Sequence, residues 1–203
     1  SGMGIDIALD DRYADLVQEG FDVAIRFGEL EDSQLVARHI GSSARVCVAS
    51  ASYLSKNGAP QTPNELKNHN CITYTHLFSS VWPFRDAKGL VSIKVAGNFR
   101  ANSGYAIRDA VMNDVGIALV PALLVKDEIE SGTLVSILND YAPDPIRITA
   151  VYPSTRLTPR KVKLFVDFIK DEFVKVPLLH PTKPSRPVPR LRSKPGVVVD
   201  VNR

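Results

Sequence analysis

The chain of 203 residues lacks several sequence features that are diagnostic of common protein classes. It contains only two cysteines, Cys47 and Cys71, and each lies in an apolar run typical of a strand. This favours buried free thiols in a reducing compartment over a disulfide framework, although one bridge remains compatible with the count. No apolar run approaches the roughly 18 residues of a membrane span, and the first residues do not resemble a signal peptide. We therefore expect one or two cytoplasmic domains without membrane contact.

Motifs of catalysis and of metal binding are also missing. The sequence has no G-x-S-x-G elbow, no P-loop and no dinucleotide fingerprint. His39, His69, His76 and His180 show no metal-ligand spacing with Asp, Glu or Cys. His69 and Cys71 are two residues apart, which strand packing explains better than a metal site. We expect no catalytic residue, no metal and no cofactor, and therefore no enzyme.

The net charge of +3 is unevenly distributed. Residues 174–203 hold seven Lys or Arg and one acidic residue, so the remaining residues, with 18 basic and 21 acidic side chains, sum to −3. The basic character belongs to the tail. The body of the chain therefore offers no basic footprint for nucleic acid.

Alternating strand and helix patterns indicate an α/β fold. Ile5–Leu9 and Phe21–Phe27 are strand-like and flank a helix that Asp10 or Asp11 can cap, so they should lie parallel in one sheet with a right-handed crossover. A long helix begins at Pro159 with an apolar stripe. Further strands are expected at 35–40, 45–49, 71–74, 82–84, 90–96, 134–138 and 146–152, and further helices at 51–55, 62–66 and 122–130.

The segment 101–121 is the most informative part of the chain. Asn102 and Ser103 are good N-cap residues for an amphipathic helix. Gly116 is placed to end that helix in the left-handed conformation, and Ile117–Val120 suits a strand buried on both faces. The start of such a helix favours anions. Taken alone, the segment is more often an ordinary capped helix that binds no ligand, because capped helices are common.

Several motifs together resemble the LysR-type transcriptional regulators, in family order over about residues 5–173. They are the stretches 15–28, 32–40, 51–54, 70–74, 116–121, 152–154 and 157–159. The resemblance implies the effector-sensing region, with two Rossmann-like subdomains joined by two crossover strands, as in type 2 periplasmic binding proteins. Subdomain I would comprise 1–45 plus 146–175, subdomain II 46–145, and a Pro/Arg-rich tail 176–203.

The resemblance implies a ligand-sensing regulatory domain. A small effector, with an anion favoured, would bind in the cleft between the subdomains and shift the population of cleft geometries. The expected partners are further copies of the chain, as a homodimer or tetramer, and DNA only through a winged helix-turn-helix that this chain lacks. The alternative is a stand-alone solute-binding or dimerisation module from a truncated gene.

Candidate effector-binding residues follow from strand ends and from the resemblance, because ligands of open α/β sheets sit beyond the carboxyl ends of strands. They are Phe27, Gly28, Glu29, Asn102, Ser103, Gly104, Val120 and Pro121. Tyr74, Thr75 and Phe78 are candidates for the rim, with simple packing as the plainer interpretation. Arg26 can pair with a carboxylate, but a surface or interdomain salt bridge is the commoner role of a strand arginine.

The family's sensing region normally opens with a strand, a loop and a helix before the equivalent of Ile5, and this chain lacks them. The resemblance therefore implies a gap or an exposed edge in the first sheet. Val197–Val201 has strand propensity and is a candidate to fill that position, in the same chain or in a neighbour. Composition favours the other interpretation, a tail that is disordered or extended over the surface.

Overall fold

The computed structural model of the protein describes residues 4–9, 15–28, 30, 35–75, 80–154 and 159–175, and the backbone of 196–200. The chain divides into two units, of which unit 1 is Ser1–Ser42 with Ile146–Arg203 and unit 2 is Ser43–Pro145. The strands are β1 (Asp6–Ala8), β2 (Val23–Phe27), β3 (Leu35–Ser43), β4 (Arg45–Ser50), β5 (Cys71–Tyr74), β6 (Val81–Asp86), β7 (Gly89–Lys94), β8 (Arg100–Ala101), β9 (Ile117–Pro121), β10 (Leu134–Ile137), β11 (Ile146–Pro153) and β12 (Gly196–Asp200). The α-helices are α1 (Ala51–Asn57), α2 (Gly104–Met112), α3 (Lys126–Glu130) and α4 (Arg160–Val174).

Unit 1 is built on a five-stranded sheet of order β1-β12-β2-β11-β3. β12 is antiparallel to both β1 and β2, so β1 and β2 run parallel to one another, as predicted, with β12 between them. The expectation that the tail is wholly disordered or extended over the surface is therefore wrong for Gly196–Asp200. The sheet has no gap between β1 and β2, because this segment fills it.

Apolar residues of β2 and α4 form much of the interior of unit 1. Val23 and Ala24 are fully buried, and Ala24 packs with Leu16 and Val151. The predicted stripe of α4 faces inward, with Val162, Phe165 and Val166 buried.

Two local predictions in unit 1 need correction. β3 continues through Gly41 to Ser43 rather than ending at Ile40, and a Cβ at Gly41 would lie 3.5 Å from that of Phe173, in ordinary contact. Residues 16–20 form turns rather than the predicted helix, and the main-chain N–H groups of Val17 and Gln18 donate to the carboxylate of Asp15. Residues 10–14 lie outside the described part of the chain.

Unit 2 contains a mixed sheet of order β10-β4-β9-β5-β8. β4 is antiparallel to β9 and β10, whereas β9, β5 and β8 run parallel. Every residue of β9 is buried, as the apolar run predicted. β6 and β7 form the expected hairpin, and Trp82 and Phe84 bury their side chains from it.

The expected helix 122–130 is interrupted in the structure. Ala122–Leu124 forms a 3₁₀ turn, and α3 begins only at Lys126. Val125 joins the two and is fully buried, with a backbone ψ of 19° that departs from α-helix. Pro63–Asn68 is likewise a 3₁₀ helix, with Pro63 at its start as predicted.

Candidate functional site

Three parallel strands of unit 2 end at one edge of its sheet. Tyr74 of β5 lies beside Ala101 of β8, and the N–H of Thr75 donates to the carbonyl of Ala101 at 2.8 Å. β9 runs alongside β5, with Ala118 beside Ile72, and reaches the same edge at its carboxyl end. The carboxyl ends of parallel strands are where ligands of α/β sheets bind.

The first turn of α2 begins at this edge. Ser103 is the N-cap residue by its extended backbone, as predicted, and its carbonyl accepts from the N–H of Ile107 at 3.1 Å. The predicted capping hydrogen bond from its side chain is not made to any of the described residues. Because no side chain in that part of the structure caps the first turn, its outward N–H groups are available to water or to an anion.

The walls of this edge are apolar. Val120 and Pro121 are buried, and Tyr74 is only 5% exposed. A Cβ on Gly104 would lie 3.0 Å from Leu124 Cδ2 and 3.7 Å from Tyr74 Cε2, so these side chains close over the helix start. Asn102 is exposed, whereas Ser103 and Gly104 are half-buried. Polar groups at a helix start thus lie beside an apolar wall, an arrangement typical of small-molecule sites.

The end of α2 differs from the prediction. Asp114, not Gly116, takes the left-handed conformation, with φ of 62°. Its carboxylate accepts from Ser50 Oγ at 2.5 Å and Ser52 Oγ at 2.6 Å. These two hydrogen bonds, followed by the interaction with Lys56, hold the pKa of Asp114 below its usual value. Short polar residues tolerate the left-handed region better than most, which explains why Asp114 ends the helix.

Gly116 is required for a close approach rather than for a turn. A Cβ at this position would lie 2.1 Å from the carbonyl oxygen of Asn70. That carbonyl accepts from the N–H of Ile117 at 2.9 Å, which joins the starts of β5 and β9.

Asn70 organises the amino ends of these strands, and sequence reasoning missed it. Its Nδ2 donates to the carbonyl of Val115 at 2.6 Å and to Asn98 Oδ1 at 2.8 Å, and its Oδ1 accepts from the N–H of Asn98 at 2.9 Å. The partners come from segments 28 and 45 residues away. No local pattern around Asn70 signals these contacts.

A charged cluster lies close to both points where the chain passes between the units, and it too was missed. Arg85 Nη2 binds Asp144 Oδ2 at 2.6 Å, and Arg45 Nε donates to the carbonyl of Asp144 at 2.7 Å. Burial lowers the pKa of Arg45 to about 10, and the charge of Asp144 opposes that shift. This cluster ties the start of β4 to the segment that precedes β11.

The candidate residues of unit 1 lie where β2 ends. Gly28 has φ of 98°, and its N–H donates to the carbonyl of Arg147 at 2.8 Å. Phe27 and Gly28 are half-buried. Glu29 and the rim candidate Phe78 lie outside the described residues. Arg26 is only 5% exposed, so its side chain lies in the interior of unit 1 rather than at the surface.

The cysteines are free and buried. Desolvation raises the pKa of both thiols, to about 12 for Cys71. They lie on either side of β9, opposite Leu119 and Ile117 respectively, which is too far apart for a disulfide. Within the described ranges, no three His, Cys, Asp or Glu side chains cluster as metal ligands, and no helix is long and apolar enough to cross a membrane.

Comparison with known proteins identifies the family. The profile described as LysR substrate binding domain matches residues 2–174. The chain belongs to the LysR substrate-binding domain family. This confirms the resemblance and the fold class.

The relatives of this LysR domain are regulators. An uncharacterized HTH-type transcriptional regulator of Haemophilus influenzae is 36% identical over 159 residues, covering 78% of this chain and 55% of that protein. CrgA of Neisseria meningitidis serogroup C is 35% identical over 162 residues, covering 79% and 54%. The chain thus spans about half the length of these relatives. Transcriptional regulators are not enzymes, in agreement with the expectation of a non-catalytic chain.

Solved structures support the same assignment. The regulatory domain of Neisseria meningitidis CrgA matches with a TM-score of 0.69 and 34% identity, covering 77% of each chain. The full-length virulence activator AphB of Vibrio cholerae matches with a TM-score of 0.68 and 30% identity, covering 81% of this chain and 56% of that one.

Proposed function

We propose that this LysR domain senses a small anionic effector and that the edge formed by β5, β8, β9 and the start of α2 is its main contact. The observation that carries the proposal is the first turn of α2, which has no side-chain cap among the described residues and adjoins a buried apolar wall. A helix start supplies N–H donors and a partial positive charge, and the wall lowers the local dielectric. Carboxylates with a small apolar body match this chemistry.

The proposal also includes a second effector contact, in unit 1, and the way in which effector binding controls DNA binding. The effector also touches Phe27, Gly28 and Glu29 of unit 1, so that it bridges the units in a cleft and shifts a population of conformations. The readout passes through a homodimer or tetramer to a DNA-binding domain in another segment of the regulator. The family assignment, together with relatives named as HTH-type regulators, supports this output.

Replacing Ser103 by Asp separates effector binding from folding. The carboxylate of S103D would cap the first turn and interact favourably with the helix dipole, so thermal stability should hold or rise by about 0.5–1 kcal/mol. The same charge would repel an anion, and its oxygen would occupy the N–H groups that the anion needs. We expect at least a tenfold loss of affinity for any carboxylate that stabilises the unmodified chain.

The matched control is N113D at the opposite end of α2. It introduces the same charge on an exposed residue of the same helix, where the dipole disfavours it, and it should leave affinity unchanged. Binding is measured by calorimetry after a thermal-shift screen of small carboxylates and matched neutral amides. Equal affinity of S103D and the unmodified chain would contradict the proposed contact, and a screen in which no carboxylate stabilises the protein would contradict the anionic effector.

A further inference from the structure

The position of β12 in unit 1 has an unusual topology. β1 and β2 are near neighbours in the chain, whereas the strand inserted between them begins at Gly196. Twenty residues, 176–195, separate Gly196 from Lys175. Because β12 is the last described element of the chain, it can detach from the sheet without passing through any other described element.

β12 joins β1 to the rest of the sheet. The register pairs Asp6, Ile7 and Ala8 with Asp200, Val199 and Val198. The other edge of β12 pairs with β2, where Val197 lies beside Ile25. Because β1 has only three residues and its partners in the described sheet order are all in β12, loss of β12 would also release β1.

Leaving the edge of β2 that β12 covers unpaired would cost free energy. Val23 and Ala24 of β2 are fully buried, and an unpaired edge on a buried strand leaves main-chain N–H and C=O groups without partners. β1 and the residue before it already expose apolar side chains, since Ile7 is 62% and Ile5 44% accessible. An empty position between β1 and β2 would therefore be refilled by whichever extended segment of suitable β propensity is at hand.

We propose that the position between β1 and β2 is a strand-docking site and that a second copy of this chain fills it with its own Gly196–Asp200, giving a strand-exchanged dimer. The contacts in such a dimer are those already formed within one chain, which makes exchange a low-cost route to association. The connection of twenty residues spans up to about 70 Å when extended, enough to reach a neighbouring molecule. A tether of this length gives an effective concentration in the millimolar range, so exchange competes with self-docking only at high protein concentration.

Cross-linking between two full-length variants tests the exchange. One variant carries A8C and the other V198C, residues that are directly opposite in the register. Cys47 and Cys71 are retained, because both are buried. The mixed variants are incubated at total concentrations from roughly 10 µM to 1 mM, around the effective concentration of the tether, and then oxidised. We expect a disulfide-linked heterodimer whose yield rises with concentration. The matched control pairs A8C with V197C, one position out of register, and should give at least fivefold less product.

Amide hydrogen exchange of a further variant tests whether β12 protects the main chain of β1 and β2. V198P removes a ladder N–H from a strand paired on both sides, and V198I is the conservative control. V198P should lose amide protection at Ile7 and Val23 while β9 in unit 2 keeps its protection, and V198I should behave like the unmodified chain. Unchanged protection at Ile7 in V198P would overturn the docking site. The exchange itself is overturned if no heterodimer forms up to roughly 1 mM, or if the out-of-register pair cross-links equally well.

Discussion

Replacing Gly116 by Ala tests the close approach that joins the starts of β5 and β9. The new methyl group would lie 2.1 Å from the carbonyl oxygen of Asn70, and it would meet main chain rather than a flexible side chain. The two strands must separate by about 1 Å to restore van der Waals contact. That movement stretches the hydrogen bond from the N–H of Ile117 to Asn70, which is now 2.9 Å, at a residue that is fully buried.

The expected cost follows from two contributions. Overpacking costs about 1–3 kcal/mol, and a buried N–H left without a good partner costs about 1–3 kcal/mol. Reduced freedom of the unfolded chain offsets about 0.4–1 kcal/mol of this. G116A should therefore destabilise the protein by about 2–5 kcal/mol, which for this chain length lowers the melting temperature by roughly 4–20 °C.

Trp82 provides the assay. It is the only tryptophan and is fully buried in unit 2, so its fluorescence during urea titration reports the unfolding of the unit that contains Gly116. The control is G41A in unit 1, where the added Cβ lies 3.5 Å from Phe173 in ordinary contact. Because Trp82 reports on unit 2, both variants are also followed by far-UV circular dichroism, and G41A should change stability by less than about 0.5 kcal/mol. A G116A protein whose Trp82 transition matches that of the unmodified chain would refute the steric reasoning.

Three further predictions follow from the structure. Burial, followed by the charges of Arg147 and Lys170, lowers the pKa of His39 in the folded state. The folded state therefore binds the proton of His39 less readily than the unfolded state, so its contribution to stability is present above about pH 6.5 and is lost as pH falls through the folded pKa. H39Q should reduce that acid-side loss of stability, measured by denaturant titrations between pH 5 and 8. N70A removes three side-chain hydrogen bonds and should cost about 2–4 kcal/mol by the same titrations. N70D should cost at least as much, because its second carboxylate oxygen would face the carbonyl oxygen of Val115 without a proton to donate. The two buried thiols should resist a chromogenic disulfide reagent in native buffer and react fully in denaturant, and rapid native labelling would contradict their burial.

Local patterns predicted the elements whose stability depends on their own periodicity. The stripe of α4 needs only 3.6-residue spacing to place Val162, Phe165 and Val166 inward. The fully buried β9 follows from an uninterrupted apolar run, and the β6–β7 hairpin from two strand-like runs around a turn containing Gly89. These predictions succeed because the information lies within a few residues of the element itself.

Interactions between distant segments account for the misassignments. Gly116 looked like the left-handed end of α2, yet Asp114 takes that conformation because serines of the β4–α1 junction hydrogen bond its carboxylate. β3 continues through Gly41 to Ser43, where a Cβ would meet Phe173, far along the chain, in ordinary contact. Both glycines were interpreted as breaks, and at Gly116 the fold uses the glycine for a close approach instead.

The candidate site likewise contains features that local patterns predicted and features that they did not predict. The position of Pro121 at the end of a buried strand was predicted from its apolar run, whereas β8, the strand that brings Ser103 to the same edge, was not predicted. The hydrogen bonds of Asn70 and the ion pair of Arg85 with Asp144 were not predicted either, because their partners lie 28 to 59 residues away. Whether the edge takes an effector remains a prediction that S103D and N113D test.

β12 shows why a long-range strand is hard to place from composition. Its propensity was visible in the run of valines, but propensity alone is worth at most about 1 kcal/mol and does not choose between a free segment and a paired one. The choice depends on an available edge, here the buried strand β2, and on a tether long enough to reach it. The same two conditions are met by a second molecule, since its β12 and its tether are identical. The feature that closes the sheet in one chain is therefore also the feature that can join two, and protein concentration decides between them.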